Sequence, residues 1–150
     1  MTSGDAEARA SDRATPTGIQ IVFDCHDPDA LASFWAAALG YEKQWSWDEG
    51  TVREMRAQGV REDQVNQRSA AVDPAGARPR LFFQRVPEPK TIKNRVHLDL
   101  HVGREVAEDE VARLETLGAR RLRVQDEAFG PFQDFAIVMQ DPEGNEFCVS

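Results

Sequence analysis

Apolar and polar positions alternate over residues 18–25. Ile19, Ile21, Phe23 and Cys25 share one face and Gln20, Val22 and Asp24 the other, which predicts a half-buried strand. Asp27-Pro28 then supplies an N-cap and a proline at the first helical position. Leu31, Phe34, Trp35, Ala38 and Leu39 follow at helical spacing as one apolar stripe, closed by Gly40. Residues 41–47 predict a second strand with Trp45 and Trp47 on one face. Residues 48–66 break the pattern: they are charged, and Val52, Met55, Val60 and Val65 are sparse among them. That stretch predicts one or two short helices inserted into the strand layout. Strands follow at 67–72 and 80–86 around a Pro- and Gly-rich turn. Residues 87–94, with Pro87, Pro89, Lys90 and Lys93, form a connector.

The second half repeats this plan. Val96, Leu98, Leu100 and Val102 alternate with His97, Asp99 and His101, giving a strand with an apolar face and a His/Asp/His face. Ala107, Val111 and Leu114 mark a helix ending at Gly118. Strands at 120–125, 135–140 and 146–149 complete it, the last after the turn Asp141-Pro142-Glu143-Gly144-Asn145. The two Leu-Gly helix ends, Leu39-Gly40 and Leu117-Gly118, lie 78 residues apart. Gln20 and His97 lie 77 apart, but Gln84 and Cys148 only 64 apart, so the first half is 13 residues longer. A duplicated βαβββ unit with one insertion accounts for this spacing. The expected architecture is α+β: a disordered tail over residues 1–17, then one domain over 18–150. Module one spans 18–87, with the insertion near 48–66, and module two spans 95–150.

Composition narrows the function classes. A chain of 150 residues buries a real core as one domain. Its net charge of −8 argues against nucleic acid and against anionic membrane surfaces, both of which call for a basic face. No apolar run approaches the ~20 residues of a membrane span. The first 17 residues lack the apolar stretch of an export signal, so the expected location is the cytoplasm, with Cys25 and Cys148 as reduced thiols.

Three segments carry a resemblance. Residues 19–41 (IQIVFDCHDPDALASFWAAALGY), the stretch PRLFFQRVPEPKTIKNRVHLDLHV from Pro79, and the ending DPEGNEFCV resemble the vicinal-oxygen-chelate superfamily of glyoxalases, bleomycin-resistance proteins and extradiol dioxygenases, in its glyoxalase-like branch. The resemblance implies two modules whose sheets curve into an open half-barrel, helices outside, around a cleft that binds a small molecule. It also implies a divalent-metal site at Gln20, Gln84, His97 and Cys148, the positions matching the family's ligands on the first and last strand of each module. Modules in this superfamily pair within one chain or between two, and a homodimer is expected.

The residues themselves are a poor metal set. None of the four positions holds a carboxylate, Gln is a weak neutral ligand, and only His97 and Cys148 suit a soft ion. Where metal-binding relatives carry Glu, this chain has Cys148, so no cofactor is expected. His97 is the candidate acid/base group by its ordinary pKa. Asp99 shares its face and either orients it or joins it in a structural His/Asp network. Cys148 reads as a nucleophile if a cation lowers its pKa, and otherwise as a small buried thiol. Trp45 and Trp47 read as a stacking wall for a flat ligand or as core. Phe129 and Phe132, around Gly130-Pro131, read as a loop that could close over a pocket. The leading expectation is a protein that binds a small molecule in its cleft without necessary turnover. The alternative is a metal-dependent or His97-assisted isomerase, lyase or dioxygenase.

Overall fold

The computed structural model describes residues 15–150. The tail expected over residues 1–17 therefore lies, up to residue 14, outside the described residues. Module one runs β1 (Gln20–Cys25), α1 (Pro28–Leu39), β2 (Glu42–Lys43), α2 (Glu49–Ala57), a 3-10 turn (Glu62–Gln64), β3 (Arg68–Val72) and β4 (Arg80–Arg85). Module two runs β5 (Asp99–Leu100), α3 (Ala107–Thr116), β6 (Arg120–Phe129), β7 (Phe132–Gln140) and β8 (Glu146–Val149). Each module folds a four-stranded mixed sheet, ordered β1-β4-β3-β2 and β5-β8-β7-β6, and neither sheet closes. The fold is α+β, as expected. Among the described residues no helix is long and apolar enough to cross a membrane.

Helix α1 forms where its signals predict. The Asp27 side chain accepts from the N–H of Ala30, Pro28 opens the helix, and Gly40 takes the left-handed conformation (φ 68°) that its missing Cβ allows. Its buried face, with Leu31, Phe34 and Trp35, packs on the inward faces of both sheets. Trp35 is the joint. Its ring lies 5.4 Å from Phe23 of β1 and 5.2 Å from Phe147 of β8, and its Nε1 donates to Asp141 Oδ2 at 3.1 Å. One apolar core therefore runs through both modules. Asp141 is 3% exposed, and burial pushes its carboxyl up despite the N–H groups of Asn145, Glu143 and Trp35 that it accepts from. Glu143, on the same turn, accepts from the backbone N–H of His26 and Asp27. The DPEGN turn of module two thus grips the start of the first module's helix.

Three expectations need correction. The strands predicted over 41–47 and from Val96 shrink to two residues each. Both are edge strands, with a ladder partner on one side only, so they leave the sheet as soon as the chain is needed elsewhere. After Gln44, whose N–H donates to Ala70, the chain peels away through Trp45 and Trp47 toward the Asp48 cap of α2. Ile19 and Val96, placed by alternation on the apolar faces, are 70% and 80% exposed, because each precedes the ladder of its module's first strand. Phe129 and Phe132 are not in an open loop. They pair with each other at the tip of the β6–β7 hairpin, where Gly130 has φ 58° and supplies the positive φ that a tight two-residue turn needs.

Candidate functional site

Strand register decides which polar residues meet. In module one, β1 and β4 pair in parallel with Gln20 opposite Arg80, Val22 opposite Phe82 and Asp24 opposite Gln84. Strand β3 places Arg68 opposite Gln84. Ile21, Phe23, Leu81 and Phe83 turn to the core, so Gln20, Asp24, Arg68, Arg80 and Gln84 share the open face. On that face Gln84 Nε2 donates to Asp24 Oδ1 at 2.8 Å. Arg80 donates to Gln20 and to Gln44, and its guanidinium lies over the rings of Trp45 (5.5 Å) and Phe82 (5.1 Å).

The insertion walls off one end of this face. A cavity of about 780 Å³ is lined by Trp45, Trp47, Arg61, Asp63, Gln64, Gln67, Arg68, Gln84 and Arg85. Its walls are pinned: Trp47 Nε1 donates to the carbonyl of Arg68 at 3.2 Å, and Arg61 forks onto Asp63 at 3.0 and 3.1 Å. The insertion ends at Asn66, in left-handed conformation (φ 55°). Its side chain accepts from the N–H of Asp29 at 2.8 Å and donates to Asp27 Oδ1 at 2.7 Å, tying the insertion to the cap of α1. None of the α2 residues is buried, so these end contacts hold the excursion in place.

The second sheet carries the other half of the predicted set. Asp99 lies opposite Cys148 in the parallel pair of β5 and β8. Burial first, and Asp99 beside it second, push the Cys148 thiol up to about 11, so it is a protonated thiol at neutral pH rather than a nucleophile. Cys25, more deeply buried, is pushed up to about 12. His97 Nε2 lies 2.7 Å from Lys93 Nζ and 3.1 Å from the Asn94 carbonyl. An ammonium only donates, so towards Lys93 this ring nitrogen is the acceptor. His101 Nδ1 instead pairs with Ser150 Oγ at 2.8 Å.

The structure thus brings Trp45, Trp47 and Gln84 together around one cavity and Asp99 together with Cys148. Gln20 sits four residues along the sheet from Gln84, about 13 Å. His97 lies beside Lys93, just ahead of β5. No hydrogen bond among the described residues joins the first-sheet set to the second-sheet set. The seam between the modules is a separate hollow of about 390 Å³, lined by Val22 and Asp24 of β1 and by Ile92, Asn94 and Val96 from the stretch between β4 and β5. A hollow of about 1070 Å³ at the start of α1 is lined by carboxylates already engaged, Glu143 with the N–H groups of His26 and Asp27, and Asp27 with Ala30 and Asn66.

The four residues matching the family's metal positions do not fit a divalent ion. Gln20 accepts from a guanidinium and Gln84 is bonded to Asp24, while the Lys93 ammonium occupies Nε2 of His97 and Cys148 keeps its proton. A cation at Gln20 or His97 would meet fixed positive charge, and the carboxylates at hand, Asp24 beside Gln84 and Asp99 beside Cys148, belong to different sheets. Among the described residues, no three His, Cys, Asp or Glu side chains form a group that could hold a metal.

The sequence marks residues 48–66 as an insertion able to cap the cleft, but it does not single out Gln67, Arg68 or Arg85 as cavity walls. Arg68 was findable in part, because strand parity places it opposite to Ser69. Its adjacency to Gln84 and Trp47 depends on register and on the path of the insertion, which no local pattern encodes.

Comparison with known proteins agrees with the fold. No curated protein matches the sequence. The chain resembles the fosfomycin resistance protein FosX from Listeria monocytogenes, solved with Mn(II) and 1S,2S-dihydroxypropylphosphonic acid, at 13% identity, TM-score 0.60 and 90% coverage of each chain. It resembles a glyoxalase/bleomycin resistance protein/dioxygenase family enzyme from Burkholderia phytofirmans PsJN at 15% identity and TM-score 0.58, covering 87% of this chain and 94% of that one. It also resembles TioX from Micromonospora sp. ML1 at 14% identity and TM-score 0.51, covering 89% and 97%. The glyoxalase-like domain family matches residues 20–150. The paired modules, the shared core and this match over nearly the whole described chain establish that the protein belongs to the glyoxalase-like domain family, within the vicinal-oxygen-chelate superfamily.

Proposed function

We propose that the protein binds a small organic molecule on the open face of its first sheet, under the insertion, and sequesters or senses it without turnover. The cavity walled by Trp45, Trp47 and Gln84 carries this reading, because it joins flat apolar walls to a few oriented polar groups. Likeness to proteins named for antibiotic resistance supports a ligand-binding role for the fold. The alternative, a metal- or His97-assisted isomerase, lyase or dioxygenase, is disfavoured by the donor chemistry of Gln20, Gln84, His97 and Cys148. The reading places the protein in the cytoplasm as a homodimer. The exposed pair Phe129 and Phe132 supports self-association, and sedimentation equilibrium tests it.

A ligand-observed NMR screen of a small-molecule library tests the binding site. Expected hits lose their signal on Trp47→Ala and on Gln84→Ala but keep it on His97→Ala, which lies outside this cavity, just ahead of β5. Hits that ignore the first two substitutions and vanish with the third would move the site to module two.

A further inference from the structure

Resting on the reading that the cavity under the insertion is the ligand site, we infer that its ligand is a planar organic anion. The ligand class is a conjugated or aromatic body bearing a carboxylate, with Arg68 meeting the charge and Trp47 the flat face.

Charge balance is the first observation. The chain is acidic, at −8, yet three guanidinium groups and one carboxylate line this cavity. Arg61 and Asp63 neutralise each other through their forked pair, and Arg85 Nε donates to the His26 carbonyl. Arg68 is different. Among the described residues its side chain has no hydrogen bond, no carboxylate partner and no stacked ring. Asp24, in register two strands across, is bonded by the amide of Gln84. A guanidinium with an unoccupied fork, set in a cavity rather than on a convex surface, selects planar oxyanions because two parallel N–H bonds match a carboxylate. A cationic ligand would find no unpaired anion here.

The fixed position of the indole is the second observation. Trp47 donates its Nε1 hydrogen to the carbonyl of Arg68 itself, so the ring is fixed at the backbone from which the guanidinium springs. Trp45 adds a second indole, with Arg80 over its ring and no carboxylate partner to Arg80. A flat body resting on tryptophan thus brings an attached carboxylate within the sweep of the Arg68 side chain, and Arg80 extends the positive field along the same face. The neighbouring amides of Gln64 and Gln67 are turned to the insertion's own backbone: Gln64 Oε1 accepts from Arg61 N–H at 3.0 Å, and Gln67 donates to the Asp63 carbonyl. Among the described residues Arg68 is therefore the guanidinium of the cavity with none of its side-chain donors engaged.

The test uses the full chain with cinnamate and its neutral isostere cinnamamide, titrated by calorimetry while the Trp47 indole N–H resonance is followed by NMR. Cinnamate is expected to bind about tenfold more tightly than the amide, the worth of one charge-assisted contact. That preference shrinks as salt rises. Arg68→Gln removes the difference between the two compounds, and Arg68→Lys restores only part of it because the fork is lost. Equal binding of acid and amide, with the Trp47 resonance shifting, overturns the anion assignment and leaves the ligand site standing. Tighter binding of the acid that survives Arg68→Gln, or leaves the Trp47 resonance unmoved, overturns it by placing the anion elsewhere. No binding of either compound in the millimolar range overturns the planar-anion class, while library hits that vanish with Trp47→Ala would still uphold the cavity.

Discussion

The two open sheet faces are built on one βαβββ plan and end with different chemistry. The first carries Arg68, Arg80, Gln84 and two tryptophans, and an excursion of the chain between β2 and β3 closes one end into a cavity of about 780 Å³. The second carries Asp99 and Cys148, with His97 just ahead of β5, and its β6 and β7, the counterparts of β2 and β3, are joined by Gly130 and Pro131 alone, so nothing comparable rises over it. The duplicated scaffold therefore sets where a site can be. The insertion, a feature of one copy alone, decides which copy has walls.

This contrast can be broken or sharpened experimentally. The largest effect is expected at the joint both faces depend on. Trp35 is 1% exposed and touches both sheets, so Trp35→Ala should cost about 3–5 kcal/mol and lower the unfolding of both modules together. Separate transitions in calorimetry would show that the modules are independent and that the comparison is between two domains.

Next is the anchor of the insertion. Asn66→Ala removes two hydrogen bonds and puts a Cβ-bearing residue without a polar side chain in left-handed backbone. An expected loss of about 2 kcal/mol should appear as faster amide exchange over residues 48–66 and at Asp29. Exchange that rises equally on the second sheet would mean the anchor serves the whole fold.

The same junction responds to pH. Burial pushes the Asp27 carboxyl up, but the hydrogen bonds from Asn66 and from the Ala30 N–H outweigh it and hold it below the ordinary carboxylate value. A depressed folded-state pKa contributes stability that is present above the unfolded-state pKa and is lost as pH falls through the folded one. Denaturant midpoints should drop between about pH 5 and pH 2, and Asp27→Asn should flatten that slope. An unchanged slope in the variant would assign the acid sensitivity to other carboxylates.

The smallest effect is expected at Cys148, on the second face. With its thiol pushed up to about 11, iodoacetamide should leave it unmodified at neutral pH in the native protein, with reaction rising only in strong alkali. Rapid alkylation at neutral pH would restore a reactive thiol to module two and blunt the contrast.

Much of the fold was legible because its signals are local. Asp27-Pro28 and Gly40 bound α1 within a residue of the prediction, and the insertion was marked by charge where α2 and the 3-10 turn now stand. The alternation in the first strand put Gln20 and Asp24 opposite Phe23 and Cys25, as the structure has them. Trp45, Trp47 and Gln84 were singled out before the structure showed them on one cavity. Legibility failed at edges: Ile19 and Val96 look like core by alternation alone, and only the start of each ladder leaves them in solvent.

By itself, then, the sequence determined the class of each segment, the duplication and the faces of the strands, since helix caps, turn residues and periodicity act over a few residues. The tertiary structure decided which faces meet. Parallel pairing put Gln84 beside Asp24 rather than Gln20, register set Arg68 beside Gln84, and Asn66 fastened the insertion over the first sheet. Those contacts join residues dozens of positions apart. Their energies depend on register and packing, and no periodicity along the chain records either.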